Sequence, residues 1–287
     1  MKLVTYASMT GPRAAAAREG AYVDLNQADP SLPSSLKGIL ELGEAGLRQA
    51  ALAAANGQPI ESRDVKLLAP IPDPQKILCI GLNYADHARE SGMTPPPEPV
   101  VFSKLATTVL PPGDAIVLPE ASQAVDYEAE LVVIIGRAGR NIPAADARHY
   151  IAGYCPGNDV SARDWQLQKP GGQWLLGKSF DTFAPFGPAL TTQDEVADPN
   201  NLRIQFRLNG RTLQDSNTDQ FLFRVDQVVA YVSKVCTLLP GDCIFTGTPA
   251  GVGFARNPRV LLSPGDVCEV EIERLGILTN PVVAEAH

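Results

Sequence analysis

Residues 126–136 read DYEAELVVIIG, and this stretch sets the expectation for the fold. Its second half is a continuous β-branched and aliphatic run, which is typical of a strand entering a core. Side chains two residues apart on a strand share a face, so Glu128 and Glu130 project together, with Asp126 beyond them. Neighbouring carboxylates in an apolar interior repel each other and therefore need a proton, an Arg or Lys, or a cation between them. The alternative is an exposed strand end with solvated charges.

A second acidic segment, GNDVSARDWQ at residues 157–166, offers one further carboxylate. Either Asp159 or Asp164 would complete a three-carboxylate site. Oxygen ligands without His or Cys favour a hard cation, Mg²⁺ first and then Mn²⁺ or Ca²⁺. In the alternative interpretation, Arg163 and Asp164 form a structural ion pair and Asp159 caps a turn.

Three further segments carry side chains that suit catalysis or ligand binding. His87 and Glu90 are three residues apart, so on a helix they can touch, and the carboxylate would make the imidazole a better general base. Lys178 follows an apolar run and is either a partly buried cation for an anion or a surface residue that ends a strand. The stretch TGTPAGVG at 246–253 is neither a P-loop nor a dinucleotide fingerprint. It is either a loop that brings N–H groups and Thr hydroxyls to a small ligand or a tight turn.

The rest of the chain predicts a small N-terminal domain followed by a larger, mainly β domain. The first part has strand-like pieces at 2–7 and 21–25 and a helical segment at 36–55. Proline-rich residues 67–74 predict an extended connector. We therefore place a boundary near residue 70, with domains at 1–70 and 71–287.

Beyond residue 70, turn signals alternate with short apolar runs. The tripeptide Pro-Gly-Asp occurs at 112–114, 240–242 and 264–266, and each copy precedes an apolar, β-leaning run. Pro followed by Gly supplies the backbone angles of a type II turn, so each copy predicts a turn that leads into a strand. Helical spacing favours a helix at 225–238, and residues 146–151 predict a short one.

Composition excludes several classes of protein. The 287 residues contain 24 Lys+Arg and 32 Asp+Glu, for a formal net charge of −8. That balance argues against a nucleic-acid partner, which would need a clustered basic face. No apolar run reaches the roughly 18 residues of a membrane span, and no secretory signal is visible, so we expect a cytoplasmic protein. The five cysteines are scattered without a C-x-x-C pair, which disfavours a disulfide framework or a zinc site.

Taken together, five motifs in order resemble the fumarylacetoacetate hydrolase family, from about residue 77 to residue 283. They are GLNYADH at 81–87, DYEAEL at 126–131, NDVSARDWQ at 158–166, GKSFD at 177–181 and TGTPAGVG at 246–253. The segments WLLGK at 174–178 and DSNT at 215–218 are most similar to the subgroup of fumarylacetoacetate hydrolase domain-containing protein 2. The resemblance implies an α+β, mainly β fold: a mixed β-sheet roll with a small N-terminal α+β domain. It also implies a homodimer.

The same resemblance implies roles for individual residues. The carboxylates that bind the metal in this family correspond to Glu128, Glu130 and Asp159 of this chain, so the resemblance selects Asp159 over Asp164. Its catalytic His–Glu pair, often on a mobile lid, and its lysine fall on His87, Glu90 and Lys178. The residues that line the family's substrate pocket correspond to Gln166 and Thr248. Apart from the resemblance, Arg163 would help to attract an anionic substrate to a protein that is acidic overall.

One position departs from the family pattern. Many members that act on acylpyruvates have Arg where this chain has Leu82. If that Arg meets a substrate carboxylate, its absence changes how the substrate is held and leaves the substrate's identity open.

The implied activity is that of a Mg²⁺-dependent enzyme acting on a 2-oxo acid with a second carbonyl, of the acylpyruvate or diketo acid type. For hydrolysis, His87 oriented by Glu90 would deprotonate a water that attacks the distal carbonyl, and C–C cleavage would release an enolate stabilised by the metal and Lys178. Alternatively, His87 would move a proton at C3, as in an oxaloacetate keto–enol tautomerase or, with loss of CO₂, a decarboxylase. A third hypothesis is a non-catalytic binding protein, which the retained carboxylates argue against. No membrane partner is expected.

Overall fold

Strands dominate the computed structural model, which describes residues 1–286. The strands of the first half are β1 Lys2–Ser8, β2 Gly11–Arg18, β3 Ala21–Asp24, β4 Pro59–Glu61, β5 Leu67–Leu68, β6 Ile77–Gly81, β7 Val100–Lys104, β8 Val109–Leu110, β9 Ile116–Leu118, β10 Val125–Asp126 and β11 Ala129–Ile135. Those of the second half are β12 Ile151–Asn158, β13 Ser161–Ala162, β14 Ala184–Pro185, β15 Leu190–Thr192, β16 Arg203–Leu208, β17 Arg211–Asn217, β18 Cys243–Phe245, β19 Val267–Ile272 and β20 Gly276–Ala284.

The helices are short and lie between the strands. They are α1 Leu25–Ala28, α2 Leu36–Glu41, α3 Gly43–Asn56, α4 Ala85–Glu90, α5 Arg163–Gln168, α6 Trp174–Lys178 and α7 Val225–Val235. Single 3₁₀ turns occupy 62–64, 106–108, 193–195, 218–220 and 253–255, and a longer 3₁₀ helix occupies 144–150. Within residues 1–286, no helix is both long enough and apolar enough to cross a lipid bilayer.

Two sheets form the body of the molecule. The larger has the order β4-β3-β2-β1-β15-β12-β11-β18-β6-β7, with β5 also paired to β1, and the smaller has the order β17-β16-β19-β20-β9. Most pairs in these two sheets are antiparallel, but β18–β6 and β20–β9 are parallel, as is the separate pair β14–β8. The expected α+β, mainly β class with mixed sheets is therefore confirmed.

Strand β11 is buried on both faces, as its apolar run predicts. Leu131, Val133 and Ile135 face a core shared with the smaller sheet and α7. Val132 and Ile134 face a second core, to which α2 and α3 contribute. Burial of one such side chain is worth about 1.5–3 kcal/mol, so the strand is held firmly in register. Its register in turn fixes where the carboxylates at its start are placed.

The stretch 126–136 is not one unbroken strand, because Tyr127 and Glu128 separate β10 from β11. The helical segment expected at 36–55 is present, but it is divided into two helices. The two helices are α2 and α3, and Gly43 at the start of α3 has a φ of +63°, which interrupts regular α geometry. The helix expected at 225–238 is α7, which ends earlier, at Val235. The short helix expected at 146–151 is a 3₁₀ helix at 144–150.

The N-terminal strands continue the larger sheet. Strand β1 pairs with β15, with Lys2 opposite Thr191, and with β2 on its other side. Strand β2 was not predicted, because its alanine run at 14–17 has little β propensity by itself and is ordered by pairing with β1 and β3. The domain boundary near residue 70 stays a prediction.

Each Pro-Gly-Asp tripeptide leads into a strand, as predicted. The strands that follow are β9, β18 and β19. Gly113, Gly241 and Gly265 have φ values of +83°, +86° and +94°. A type II turn needs such a positive φ at its third residue, which explains the glycine at the centre of all three copies.

Asp24, at the end of β3, is a buried carboxylate that ties the N-terminal strands together. It accepts hydrogen bonds from Tyr6 Oη at 2.6 Å, Arg13 Nη2 at 2.7 Å and the Gln27 backbone N–H at 2.7 Å. Burial opposes ionisation, but Arg13 and the other donors outweigh it and lower the pKa of Asp24.

We expect Asp24→Asn to lower the free energy of unfolding at pH 7 by about 2 kcal/mol, because it weakens hydrogen bonds to a buried charge. Since the folded pKa lies below the ordinary value of 3.8, the stabilisation is complete above that value and is lost as pH falls through the folded pKa. Urea unfolding of both proteins between pH 7 and pH 2 measures this, with the exposed Asp64→Asn as control. A deficit that does not shrink in acid would contradict the assignment.

Candidate active site

Three carboxylates meet where β11 begins and β12 ends. These strands pair so that Ala129 lies opposite Asn158, and the Asp159 N–H donates to the Glu128 carbonyl at 2.9 Å. One carboxylate oxygen from each of Glu128, Glu130 and Asp159 lies within 4.8 Å of the others. All three residues are buried, Asp159 completely. Strand pairing therefore brings together predicted carboxylates that are up to 31 residues apart in the sequence.

Lysine and arginine side chains neutralise part of this cluster. Lys178 Nζ donates to Glu128 Oε2 and to Asp159 Oδ2, both at 2.8 Å. Arg163 Nη2 lies 2.7 Å from Glu128 Oε1, and the buried Lys104 contacts Asp159. Burial raises the pKa of Glu128, but the charges of Lys178 and Arg163 outweigh it and bring that pKa to about 2. Glu128 is thus held ionised.

Glu130 is in a different situation. Its Oε2 accepts from the Gly247 N–H at 2.7 Å, and within residues 1–286 no cationic side chain forms an ion pair with it. The pKa of Glu130 is raised well above its ordinary value, mainly by burial and to a smaller extent by repulsion from Asp159 and Glu128. The cluster therefore has one carboxylate whose ionised form the protein stabilises too little to offset burial and repulsion.

The residues present fit a hard divalent cation. Asp126 and the three carboxylates give four negative charges, and Lys104, Arg163 and Lys178 give three positive ones, so 3 − 4 leaves −1 when all are ionised. A divalent ion would turn this into +1 and favour ionised Glu130. A positive site would also attract an anionic substrate. Oxygen ligands alone favour Mg²⁺, Mn²⁺ or Ca²⁺ over softer metals.

His87 and Glu90 form a pair on α4. The distance from His87 Nδ1 to Glu90 Oε2 is 3.2 Å, and Glu90 accepts from the Gly251 N–H at 2.9 and 3.0 Å. Burial opposes ionisation of Glu90, but His87 and the Gly251 N–H lower its pKa. Because an ionised carboxylate only accepts, Nδ1 carries the proton and Nε2 is left as the basic nitrogen.

The start of α4 is anchored by a buried side chain. Asn83 Nδ2 donates to the carbonyls of Phe223 and Thr246 at 3.0 and 2.8 Å, and its Oδ1 accepts from the Phe223 N–H. Through Asn83, the helix that carries His87 is tied to the loop that follows β18.

A cavity of about 470 Å³ joins the carboxylates to the His–Glu pair. Every predicted site residue lines it except Asp159, which forms an ion pair with the cavity-lining Lys178. The lining residues with predicted roles are His87, Glu90, Glu128, Glu130, Arg163, Gln166, Lys178 and Thr248. Lys178 reaches the cavity from the end of α6, so the interpretation of a surface residue at a strand end is wrong for this residue, which is 2% exposed.

Asp164 does not belong to the cluster. It accepts from Ser122 Oγ at 2.6 Å and from the Gln123 and Trp165 N–H groups at 3.0 Å, which makes it a turn-stabilising residue. The expected Arg163–Asp164 ion pair is not found among the described residues. Arg163 instead contacts Asp126 and Glu128.

The sequence did not single out Lys104 and Gln214, and it left Asp126 without a role. Asp126 accepts from the Gly253 and Phe254 N–H groups at 2.8 and 3.1 Å, so it holds the loop after β18 against Arg163. Neither Lys104 nor Gln214 belongs to a sequence motif. Each is brought to the site by tertiary contacts between distant segments.

Gln214 connects the carboxylate strand to Thr248. Its Oε1 accepts from the Ala129 N–H at 2.9 Å, while its Nε2 donates to Thr248 Oγ1 at 2.8 Å and to the Pro249 carbonyl at 2.9 Å. The Ala129 N–H can only donate and the Pro249 carbonyl can only accept, so these two groups assign the oxygen and the nitrogen of the Gln214 amide. Thr248 Oγ1 therefore accepts from Gln214, and its own proton is free to be donated into the cavity.

The family model "Fumarylacetoacetate (FAA) hydrolase C-terminal" matches residues 76–283. The chain is 49% identical to "Oxaloacetate tautomerase fahd2, mitochondrial" of Xenopus laevis over 288 residues, covering 99% of this chain and 90% of that protein. It is 48% identical to the "Fumarylacetoacetate hydrolase domain-containing protein 2 homolog" of Dictyostelium discoideum, covering 98% and 97%. The expected resemblance to this subgroup is thus confirmed.

Solved structures agree with the sequence matches. The 5-carboxymethyl-2-hydroxymuconate delta-isomerase of Mycobacterium smegmatis superposes with a TM-score of 0.80 at 35% identity, with all of both chains covered. The fumarylacetoacetate hydrolase of Exiguobacterium antarcticum gives 0.86 at 36% identity, covering 99% of this chain and 100% of that one. Both isomerases and hydrolases therefore share this fold.

The comparisons also correct one expectation. Relatives from Xenopus laevis, Bos taurus and Homo sapiens are named as mitochondrial, which contradicts the expected cytoplasmic location. The expectation rested on the lack of a visible signal at the N-terminus, and that observation is too weak to assign a compartment. The match to the family model across residues 76–283, together with relatives 48–49% identical over nearly the whole chain, shows that the chain belongs to the fumarylacetoacetate hydrolase family.

Proposed function

We propose that this protein is a divalent-cation-dependent oxaloacetate keto–enol tautomerase. The observation that carries the proposal is the position of the His87–Glu90 pair on the same cavity as the three-carboxylate cluster and Lys178. The relative named as an oxaloacetate tautomerase, aligned over 99% of this chain, favours tautomerisation over hydrolysis.

Tautomerisation needs one proton removed from C3 of the keto form and one added to the C2 oxygen, and it breaks no carbon–carbon bond. His87 Nε2 is the group that would accept or return the C3 proton. Glu90 keeps the proton on Nδ1 and stabilises the imidazolium that forms. The Gly251 N–H, shared between the two carboxylate oxygens of Glu90, holds Glu90 in place for this role.

Two other groups would stabilise the enolate as charge develops on the C2 oxygen. Lys178 is a buried cation, and Thr248 has a hydroxyl proton free to donate. Arg163 and Gln166 also line the cavity and would orient the substrate carboxylate. A cation held by Glu128, Glu130 and Asp159, for which we propose Mg²⁺, would supply Lewis-acid polarisation of the 2-oxo group.

Hydrolysis of an acylpyruvate or diketo acid is the second candidate, since a solved hydrolase has the same fold. The two reactions are separated by assaying acetylpyruvate, fumarylpyruvate and enol-oxaloacetate with Mg²⁺, following enol absorbance and pyruvate release. Enol loss without pyruvate supports the tautomerase. Pyruvate together with an acid would establish the hydrolase, and pyruvate with CO₂ from oxaloacetate would establish a decarboxylase.

The link between Gln214 and Thr248 gives a prediction about substrate binding. In Gln214→Glu the side chain can no longer donate a hydrogen bond to Thr248. The Thr248 hydroxyl then donates to the new carboxylate and is no longer available to the substrate. We expect kcat/KM for enol-oxaloacetate to fall by about tenfold, equivalent to one hydrogen bond of roughly 1.4 kcal/mol.

A double-mutant cycle tests whether that loss passes through the hydroxyl. Thr248→Val should cost about as much as Gln214→Glu, and Gln214→Glu should then cost little in the Thr248→Val background. Thr248→Ser, which keeps the hydroxyl, is the matched control. Independent, additive losses would show that Gln214 has only a structural role.

A further inference from the structure

A set of apolar side chains lines the cavity beside the carboxylate cluster, and the proposed reaction of oxaloacetate makes no use of it. We call it the apolar wall, and it consists of Leu82, Met93, Phe102, Leu167, Trp174 and Phe254, all of which line the cavity. Met93 and Leu167 are 54% and 52% exposed. Exposed apolar side chains around a concave site are typical of a groove that receives an apolar part of a ligand.

The apolar wall begins directly at the reacting groups. Lys178 Nζ lies 5.1 Å from the centroid of the Phe102 ring, and the Phe102 and Trp174 rings meet edge to face at 5.4 Å. Trp174 packs on the backbone at Gly81, where an added Cβ would lie 2.7 Å from a ring carbon. Leu82 follows immediately in the chain. Phe102 and Trp174 therefore connect Lys178 to the backbone at Gly81, which precedes Leu82.

The cavity has no uncommitted cation for a second substrate carboxylate. Among the described residues that line it, the side chains with a permanent positive charge are Arg163 and Lys178. Arg163 contacts Asp126 and Glu128 at 2.8 and 2.7 Å, and Lys178 contacts Glu128 at 2.8 Å. The C4 carboxylate of oxaloacetate would therefore stay hydrated at the cavity mouth.

An apolar group in the same place would instead be removed from water against the apolar wall, which is favourable. The cavity of about 470 Å³ lies in the range of pockets that hold drug-sized ligands, so it has room for a ring that oxaloacetate lacks.

We propose that the protein also tautomerises 2-oxo acids whose C3 carries an apolar, aromatic group, with phenylpyruvate as the representative compound. The proposal rests on the proposed tautomerase chemistry. The proton balance is unchanged: one proton leaves C3, one is added to the C2 oxygen, and neither an oxidant nor a reductant takes part. Leu82 is the residue that makes the cavity prefer an apolar group to a carboxylate.

The kinetic test compares enol-phenylpyruvate with enol-oxaloacetate in the wild-type protein with Mg²⁺, after subtraction of the uncatalysed rates. Both enols should be consumed. In Leu82→Arg, the ratio of kcat/KM for oxaloacetate to that for phenylpyruvate should rise by at least about tenfold, because the new cation pairs with the C4 carboxylate and occupies apolar space. Leu82→Gln, similar in length but uncharged, is the matched control and should change the ratio less. Thermal melting verifies that each variant is folded.

Binding without turnover gives an independent readout. Phenyllactate and malate are the 2-hydroxy counterparts of the two substrates and cannot enolise. By calorimetry with Mg²⁺, the wild-type protein should bind phenyllactate more tightly than malate, and Leu82→Arg should reverse the order.

Three results would overturn the inference. If the wild-type protein consumes enol-oxaloacetate but not enol-phenylpyruvate, the wider substrate range is wrong while the proposed function stands. If neither enol is consumed, the proposed function fails and this inference fails with it. If both are consumed but Leu82→Arg leaves the ratio and the binding order unchanged, Leu82 does not determine specificity.

Discussion

His87→Ala is expected to lower kcat for enol-oxaloacetate by about 10²–10⁴-fold, the range in which a positioned general base contributes. The reason is that His87 is the group on the cavity with a basic nitrogen free for the C3 proton, since Lys178 is engaged with Glu128 and Asp159. Steady-state kinetics at saturating Mg²⁺ measures the effect.

The His87 variant should keep its cation affinity, because His87 contacts Glu90 and none of the three clustered carboxylates. Calorimetric titration with Mg²⁺ tests that separation. Glu90→Gln should show a smaller loss of kcat, since it leaves the imidazole but removes the charge that stabilises its protonated form. His149→Ala, a histidine away from the cavity, is the control. Retained activity in His87→Ala would remove this residue from the mechanism.

Glu130→Gln is expected to have two opposite effects. Mg²⁺ affinity should fall by more than about 100-fold, because loss of a ligand should exceed the 10–100-fold effect of residues that only support ligands. Without metal, the variant should be more stable than the wild-type protein near neutral pH, because folding no longer has to bury the charge of Glu130 or take up a proton to neutralise it.

The pH dependence of that stability has a definite sign. The folded pKa of Glu130 is raised above its ordinary value of 4.5, so the folded state binds its proton more tightly than the unfolded state does. Metal-free wild-type protein should therefore lose stability as pH rises from about 4.5 toward the folded pKa, and Glu130→Gln should lack this slope. Excess Mg²⁺ should stabilise the wild-type protein and not the variant.

Thermal melting with and without Mg²⁺, across pH, measures all of these effects. The exposed Glu61→Gln is the matched control, and it should behave like the wild-type protein. A metal-free Glu130→Gln that is less stable than the wild-type protein at neutral pH would contradict the electrostatic description of the cluster.

The sequence predicts the core strand and the local pairs of functional groups well. The run after Glu130 is apolar enough to require burial on both faces, and the spacing of Glu128 and Glu130 follows from strand geometry. In the same way, His87 and Glu90 are close because three residues make nearly one turn of α4. These are short-range relations, and the periodicity of a strand or helix is sufficient to predict them.

Other parts of the site depend on contacts between distant segments. Lys104 is 55 residues from Asp159, and Gln214 is 85 residues from Ala129. A lone lysine at the end of a strand, or a glutamine within one, has no pattern that distinguishes it from a surface residue. Similarly, the choice between Asp159 and Asp164 needs the turn after β12, which directs one carboxylate inward and lets the other stabilise a turn.

The most direct measurement of the central claim follows enol-oxaloacetate absorbance and pyruvate in one sample, with wild-type protein and saturating Mg²⁺. The proposed function predicts that enol absorbance decays faster than in buffer, that pyruvate does not accumulate, and that a chelator abolishes the acceleration. Pyruvate that appears in step with the loss of absorbance, or decay at the buffer rate, would contradict it.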